Sequence, residues 1–461
     1  MGAIDLSEQK ITTELPKKRF YLLSLGCAKN QVDAECMSRI LYEDNWLSVA
    51  DPAEADALIV NTCGFIVPAK KEAINAILEL SDFKQPQGKA CHLVVTGCLS
   101  QRYAAEIRDQ LPEVDAVLGT ADYGKIATLL RRLAGGEACY DMPGQPGSLA
   151  HLMVSRRPST PASYAYIKIA EGCSNRCAYC AIPSIRGPLR SRPMEEIVEE
   201  AARLAADGYG ELILIAQDTG RYGLDLYGRR RLPELLLAIC KIKDLRLLRV
   251  LYTYSDGITD ELLDVMRREP KIAHYLDMPI QHGSDAVLER MNRKDRAADI
   301  RATVARIRAA LPDVVLRTTV MVGFPGETAE DFEAMLDLLR DMRFDRLGCF
   351  VFSPEEGTPA WSMRPRVHHK TAAQREKRLL ASQQLIATEK ARERIGQVVA
   401  VTLESVEDRG IFYVGRSYGE APEVDPLIYV AAASDDLHLG QTCNVRLADA
   451  DAYEMTGVTV L

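Results

Sequence analysis

Tyr164-Ala165-Tyr166-Ile167-Lys168-Ile169 runs directly into Ala170-Glu171-Gly172-Cys173-Ser174-Asn175-Arg176-Cys177-Ala178-Tyr179-Cys180. The first six residues, mostly apolar or aromatic, read as a buried strand. The rest bring three cysteines into eight residues. Three thiolates so spaced can grip one face of an iron–sulfur cube and leave a fourth iron without a protein ligand, unlike a closed four-cysteine electron-transfer site. The competing readings are three small buried hydrophobes or a zinc site. Zinc would want a fourth ligand nearby, but His151 lies behind a linker and His274 is about a hundred residues on.

Downstream of this stretch the chain repeats a strand-then-helix grammar. Strands are expected at Tyr164–Ile169, Leu212–Ala216, Leu247–Leu251, His274–Leu276, Val314–Thr319 and Leu347–Phe352. Helices are expected between them at Met194–Ala206, Pro233–Ile242, Asp260–Arg268, Asp295–Ala310 and Ala329–Met342. About six β/α units predict an incomplete barrel with functional loops at the carboxyl ends of its strands. Val367 to Arg394 reads as one helix without Gly or Pro. Five short strands after Gly396 predict a small antiparallel β-barrel.

Upstream, three apolar runs each end in a cysteine. Phe20–Leu25 leads to Gly26-Cys27, Ala57–Thr62 to Cys63-Gly64, and His92–Thr96 to Gly97-Cys98. A helix-compatible stretch follows each, which implies a parallel sheet. In such sheets the carboxyl ends of the strands share one edge, where ligands bind. Cys27, Cys63 and Cys98 should therefore converge on one rim. The other six cysteines, Cys36, Cys91, Cys139, Cys240, Cys349 and Cys443, read as small apolar fillers.

The organisation expected is α/β throughout: a flexible tail at 1–17, a parallel-sheet cluster domain at 18–140, a Pro/Gly-rich linker at 141–162, a partial (β/α)6 barrel with its connecting helix at 163–393, and the small barrel at 394–461. The 461 residues are 47% hydrophobic and 26% charged, which excludes wholesale disorder or a fibre. The net charge of −8 argues against a protein that coats nucleic acid. No apolar run approaches the ~20 residues of a membrane span, and no secretory signal is visible. A cytoplasmic protein is expected, in which twelve cysteines point to metal binding or catalysis rather than a disulfide framework.

C-x3-C-x2-C after the first strand of a β/α barrel resembles the radical S-adenosylmethionine (SAM) superfamily. The resemblance implies a [4Fe–4S] cluster on Cys173, Cys177 and Cys180 whose open iron chelates SAM, cleaved to methionine and a 5′-deoxyadenosyl radical. Gly323-Phe324-Pro325-Gly326-Glu327, after the fifth strand, resembles that family's SAM-adenine motif. Gln217-Asp218-Thr219-Gly220-Arg221-Tyr222-Gly223 stands where a Gly-Gly-Glu motif is common, and Gln217 is the SAM-contact candidate there. Leu25-Gly26-Cys27-Ala28-Lys29-Asn30, Asn61-Thr62-Cys63-Gly64-Phe65-Ile66 and Thr96-Gly97-Cys98 resemble the amino-terminal domain of the methylthiotransferases, in which three cysteines hold a second [4Fe–4S] cluster. The small last barrel resembles a TRAM domain.

Two branches of that family matter. One methylthiolates an adenosine in transfer RNA; the RimO-type branch methylthiolates the β-carbon of an aspartate in ribosomal protein S-twelve. Leu25–Asn30 and Gln217–Gly223 resemble the RimO-type form. From Arg394 onward four Arg and no Lys meet eleven acids, a net of −7, which would repel RNA and attract a basic protein. Glu404, Glu407, Asp408, Glu420, Glu423 and Asp425 are the expected docking acids. Arg364 to Glu393 is basic, at +5, and is either an RNA contact or a solvated face. The resemblance implies two roles for SAM, radical source and methyl donor, together with an electron donor, a sulfur source and a substrate free or on the small ribosomal subunit. No protein residue is assigned a proton-transfer role. A non-enzymatic iron–sulfur carrier would need fully ligated clusters, whereas each site here offers three cysteines.

Overall fold

The computed structural model describes residues 18–86, 88–137, 139, 144, 149–408, 410–432 and 437–460. The expected tail at 1–17, and most of the Met142–Gly147 linker, lie outside the described residues.

The amino-terminal unit is a five-stranded sheet of β1 (Lys18–Ser24), β2 (Trp46–Ser48), β3 (Ala57–Thr62), β4 (His92–Gly97) and β5 (Ala116–Leu118). The order is β2-β1-β3-β4-β5 and every pairing is parallel. The middles of its long strands are apolar because both faces are covered. Phe20, Leu22, Ile59 and Val94 point into one core with Met37 and Leu41 of helix α1 (Ala28–Glu43). Tyr21, Leu58, Val60, Leu93 and Val95 point into the other. There they meet Ile77 of α2 (Val67–Ser81) and Ile107 of α3 (Cys98–Gln110). The three cysteine-bearing strands, β1, β3 and β4, are immediate neighbours.

The central unit holds β6 (Tyr164–Lys168), β7 (Glu211–Ile215), β8 (Leu247–Val250), β9 (Tyr275–Asp277), β10 (Val315–Val322) and β11 (Arg346–Val351). They form two parallel sheets, β8-β7-β6 and β9-β10-β11. The backbone bonds Leu248 N–H to Lys271 O and Ala273 N–H to Leu248 O, at 2.7 and 2.9 Å, join them. All six strands lie where the apolar runs lead one to expect, as an open half-barrel. Helix His369–Arg392 follows.

The carboxy-terminal unit closes into a barrel of β12 (Val398–Val406), β13 (Tyr413–Arg416), β14 (Leu427–Ala431), β15 (Thr442–Ala450) and β16 (Glu454–Thr459). Four pairings are antiparallel and one, β14 with β16, is parallel.

This barrel docks on the amino ends of the central strands through charged groups. Arg416 bonds Glu211 at 2.9 Å and Glu404 at 2.6 Å. Arg249 donates to Tyr418 O at 2.7 Å, and Tyr275 Oη to Asp425 at 2.6 Å. Glu420, fully buried, pairs with Arg394. Tyr164 Oη reaches Glu423 at 3.3 Å. Four of the six expected docking acids thus hold the barrel to its neighbours; of the six, Glu407 is half-buried and Asp408 exposed without such a role. The acidic face expected for a basic partner is corrected accordingly: composition counts charge but does not say which carboxylates are already neutralised. Among the described residues, no helix is long and apolar enough to cross a membrane.

Candidate functional site

Parallel registry carries the first three cysteines to one rim. Thr62 pairs with Gly97 and Ser24 with Asn61, so β1, β3 and β4 end level. Cys27 precedes α1, Cys63 follows β3 at once, and Cys98 opens α3. The packing leaves no room for a side chain between them. A Cβ on Gly26 would stand 2.9 Å from Cys63 Cβ, and one on Gly64 2.6 Å from Leu99 N. Asn30 ties the ends together, its Nδ2 donating to Leu25 O and Thr62 O at 2.9 Å each. Asn61 Nδ2 donates to Asn30 O at 2.7 Å.

The thiols feel one another's charge. Burial, then Cys98, pushes Cys63 up to about 12. Burial also raises Cys98, against the pull of Arg186. Burial opposes ionisation of Cys27 too, but Lys29, Arg186 and the N–H groups of Asn30 and Lys29 outweigh it and hold that thiol below its ordinary value.

Cys173, Cys177 and Cys180 sit in the loop beyond β6, and Cys173 and Cys180 are pushed up by burial to about 11 and about 12. Gly172 is required there: at φ +77°, its Cβ would lie 2.1 Å from Pro188 O. Ala178 N–H to Met291 O and Ala360 N–H to Ala178 O, at 2.9 and 2.8 Å, clamp the loop. Tyr254 Oη lies 3.7 Å from Cys177 Sγ. A cavity of about 250 Å³ opens beside Cys177, with Asn175, Tyr254 and Arg293 on its wall.

Of the five residues Gly323 to Glu327, Phe324 packs against this loop, and none of the five lines that cavity. Phe324 is fully buried with Cys177 and Tyr179, its ring edge-on to Tyr179 at 6.5 Å. Glu327 accepts from the N–H groups of Gly323 and Phe324 at 2.6 and 3.1 Å and pairs with Arg375 at 2.6 Å. Its carboxylate is committed to the loop's own shape. Gly326 N–H donates to Pro365 O at 2.8 Å, and Pro325 completes the turn.

A buried charge network that sequence reading missed joins the two cysteine sites. Arg186, six residues beyond Cys180, donates Nη1 to Asp33 and to Glu171, each at 2.9 Å. Its Nη2 donates to Asn30 and, at 3.4 Å, to Cys98 Sγ. Lys168 bonds Asp33 and, at 2.7 Å, Glu171. His151 Nε2 lies 3.3 Å from Asp33. Gln217 Nε2 donates to Glu171 at 2.7 Å, while its Oε1 is buried without a partner among the described residues. Burial would raise the carboxyls of Asp33 and Glu171, but Lys168 and Arg186 depress both, Glu171 to about 2. Lys168 inside an apolar strand was the available signal, because a lysine there must find a carboxylate.

All twelve cysteines are free thiols. No three His, Cys, Asp or Glu side chains among the described residues close on a single metal ion. A four-iron cube does not ask for that, since its thiolates sit on separate irons, and two crowded sets of three thiols are a donor set that fits it. Cys36, Cys139 and Cys240 are buried fillers as expected, Cys349 and Cys443 half-buried, whereas Cys91 is exposed.

Three family profiles match the chain: the radical SAM superfamily over residues 167–339, an uncharacterized protein family (UPF0004) over 19–119, and the TRAM domain over 395–460. A ribosomal protein uS12 methylthiotransferase RimO of Lachnoclostridium phytofermentans is 44% identical over 95% of this chain and 99% of its own. That of Pelotomaculum thermopropionicum is 45% identical over 95% and 99%. The chain belongs to the RimO family. Among solved structures, a radical SAM methyltransferase, TsrM of Kitasatospora setae, aligns with TM-score 0.56 over 80% of this chain and 89% of that one, at 14% identity. That likeness concerns the fold alone. RimO-family membership spans all three units, so the two cysteine sites and the network between them lie within one shared framework.

Proposed function

We propose that this chain methylthiolates the β-carbon of an aspartate in ribosomal protein uS12. In this reading Cys27, Cys63 and Cys98 hold one [4Fe–4S] cluster and Cys173, Cys177 and Cys180 a second, to which SAM binds. The observation that carries it is the pair of three-thiol sites joined by Arg186, in a chain collinear with RimO relatives. When bound, these groups supply the hydrogen-abstracting radical and the methyl group; an unactivated C–H bond is beyond side-chain acid–base chemistry.

The chain's own residues position and shield. Asn30 and Asn61 fix the rim that carries the first three cysteines. Arg186 links that rim to the second cysteine loop. Gly323, Pro325 and Gly326 are the backbone surface proposed for SAM's adenine, with Phe324 and Glu327 shaping the turn. Gln217 Oε1, like Asp218 Oδ1 beside it, is a buried polar atom past the second strand still able to receive a donor. An external electron donor and sulfur source complete the scheme, in the cytoplasm.

The test is anaerobic reconstitution with iron, sulfide, SAM and dithionite, offering uS12 and transfer RNA in separate reactions read by mass spectrometry. The expected result is 5′-deoxyadenosine with a methylthio group on one uS12 aspartate. Modification of transfer RNA instead would overturn the substrate, and no 5′-deoxyadenosine at all would leave an electron carrier.

A further inference from the structure

Lys29 is more than nine-tenths buried, yet its ammonium makes no ion pair or hydrogen bond among the described residues. Its one close partner is the ring of Tyr252, 3.4 Å from Nζ. Lys29 also acts electrostatically on the Cys27 thiol, but a cation taken from water with an aromatic face against it and no hydrogen-bonded anion can still take one. The place is specific. Lys29 stands two residues from Cys27, at a point where the backbone of Gly26 and Cys27 comes to the surface. Tyr252 belongs to the segment beyond β8, and two residues further Tyr254 touches Cys177. One short segment therefore meets Lys29 on the side of the first cysteine site and Cys177 on the side of the second.

Tyr252 itself is held at φ +62°, left-handed backbone that a bulky residue rarely adopts. Asp277 and Thr219 hold it there, Tyr252 N–H donating to Asp277 at 3.3 Å and Thr219 N–H to Tyr252 O at 3.0 Å. Strain of this kind persists where the surroundings over-determine it, as at ligand clamps.

We propose that the Lys29 ammonium recognises the side-chain carboxylate of the target aspartate, setting its β-carbon between the two cysteine sites. The inference rests on the uS12 reading above and deepens it by naming a specificity-determining residue. A carboxylate arriving there gives the ammonium the hydrogen-bonded anion it lacks among the described residues. A neutral adenine offers no such group.

The experiment measures anaerobic binding of uS12 to the reconstituted holoenzyme, using uS12 and a uS12 variant with the modified aspartate changed to Asn. Wild-type enzyme should bind the aspartate form about tenfold more tightly. Lys29→Met should bring the two forms within about twofold by weakening the aspartate form alone, and Lys29→Arg should keep the preference. Iron content and the electron paramagnetic resonance of both clusters are followed in each variant. Equal affinity of wild-type enzyme for the two forms, which needs no enzyme variant, would overturn the proposal. So would a Lys29→Met enzyme that still prefers aspartate, or one in which only the first cluster's signal changes. If wild-type enzyme leaves uS12 unmodified, the functional reading fails instead, which separates the two failures.

Discussion

Arg186 places a permanent positive charge against two carboxylates and one cysteine sulfur, all away from water. Changing it to Gln leaves Asp33 and Glu171 with Lys168 as their only full cation, and breaking such a network costs about 3–5 kcal/mol. Arg186→Gln should lower the thermal midpoint accordingly, and Arg186→Lys should recover part of it without the fork that reaches Asn30 and Cys98. If Cys98 ligates the proposed first cluster, removing a cation beside its sulfur disfavours the more negative, reduced cluster, so that cluster's reduction potential should fall in a spectroscopic titration. An unchanged potential would show that the 3.4 Å contact has no electronic role. The cysteines themselves predict iron content. Loaded anaerobically, the chain should carry ~8 irons and the Cys173→Ala, Cys177→Ala, Cys180→Ala triple variant ~4. Iron that did not change would mean that the second site is misassigned.

At the scale of elements, the junction between the central strands and the last barrel is acid-sensitive. Burial pushes Glu420 up, but Arg394 and Arg346 outweigh it and hold its pKa at about 2, against an ordinary 4.5. A depressed carboxylate contributes stability above its unfolded pKa and loses it as pH falls through the folded one. The junction should therefore weaken between about pH 4.5 and about pH 2, by roughly 3 kcal/mol from this group. Glu420→Gln should remove that part of the pH dependence, as read by denaturant unfolding. Most elements were legible. Apolar runs marked β1, β3 and β4, each ending at a Gly or Cys, and the six central strands, because strands largely buried on both faces, as β6 and β7 are, leave little polar alternation to misread. β2 and β5, three residues each, were too short to show a pattern. The cysteine sites were legible because parallel strands end on one edge. Asp33, Lys168, Glu171 and Arg186 were not, since a buried ion pair between residues up to 153 apart leaves no periodicity in either segment. The acids of the last barrel were visible as charge but not as partners.

The whole molecule is less modular than three consecutive units suggest. Excising 394–461 would strip Arg249, itself fully buried, of its Tyr418 and Ser417 carbonyls, and Glu211 of Arg416. The truncated chain should therefore lose stability along with substrate modification, rather than retain an undisturbed SAM-cleaving core as the charge pattern alone would suggest. Limited proteolysis and thermal denaturation check this, and a truncated chain as stable as the full one would contradict it. Conversely, the two cysteine sites stand on separate strand systems, so their jobs should separate while their positions stay coupled through Arg186. The most direct measurement is on the Cys27→Ala, Cys63→Ala, Cys98→Ala variant, reconstituted with SAM, dithionite and uS12 and followed for both 5′-deoxyadenosine and the mass of uS12. Continued formation of 5′-deoxyadenosine with uS12 left unmodified is the expected result; a folded variant that makes no 5′-deoxyadenosine, or one that still adds the methylthio group, would contradict the division of labour between the two sites.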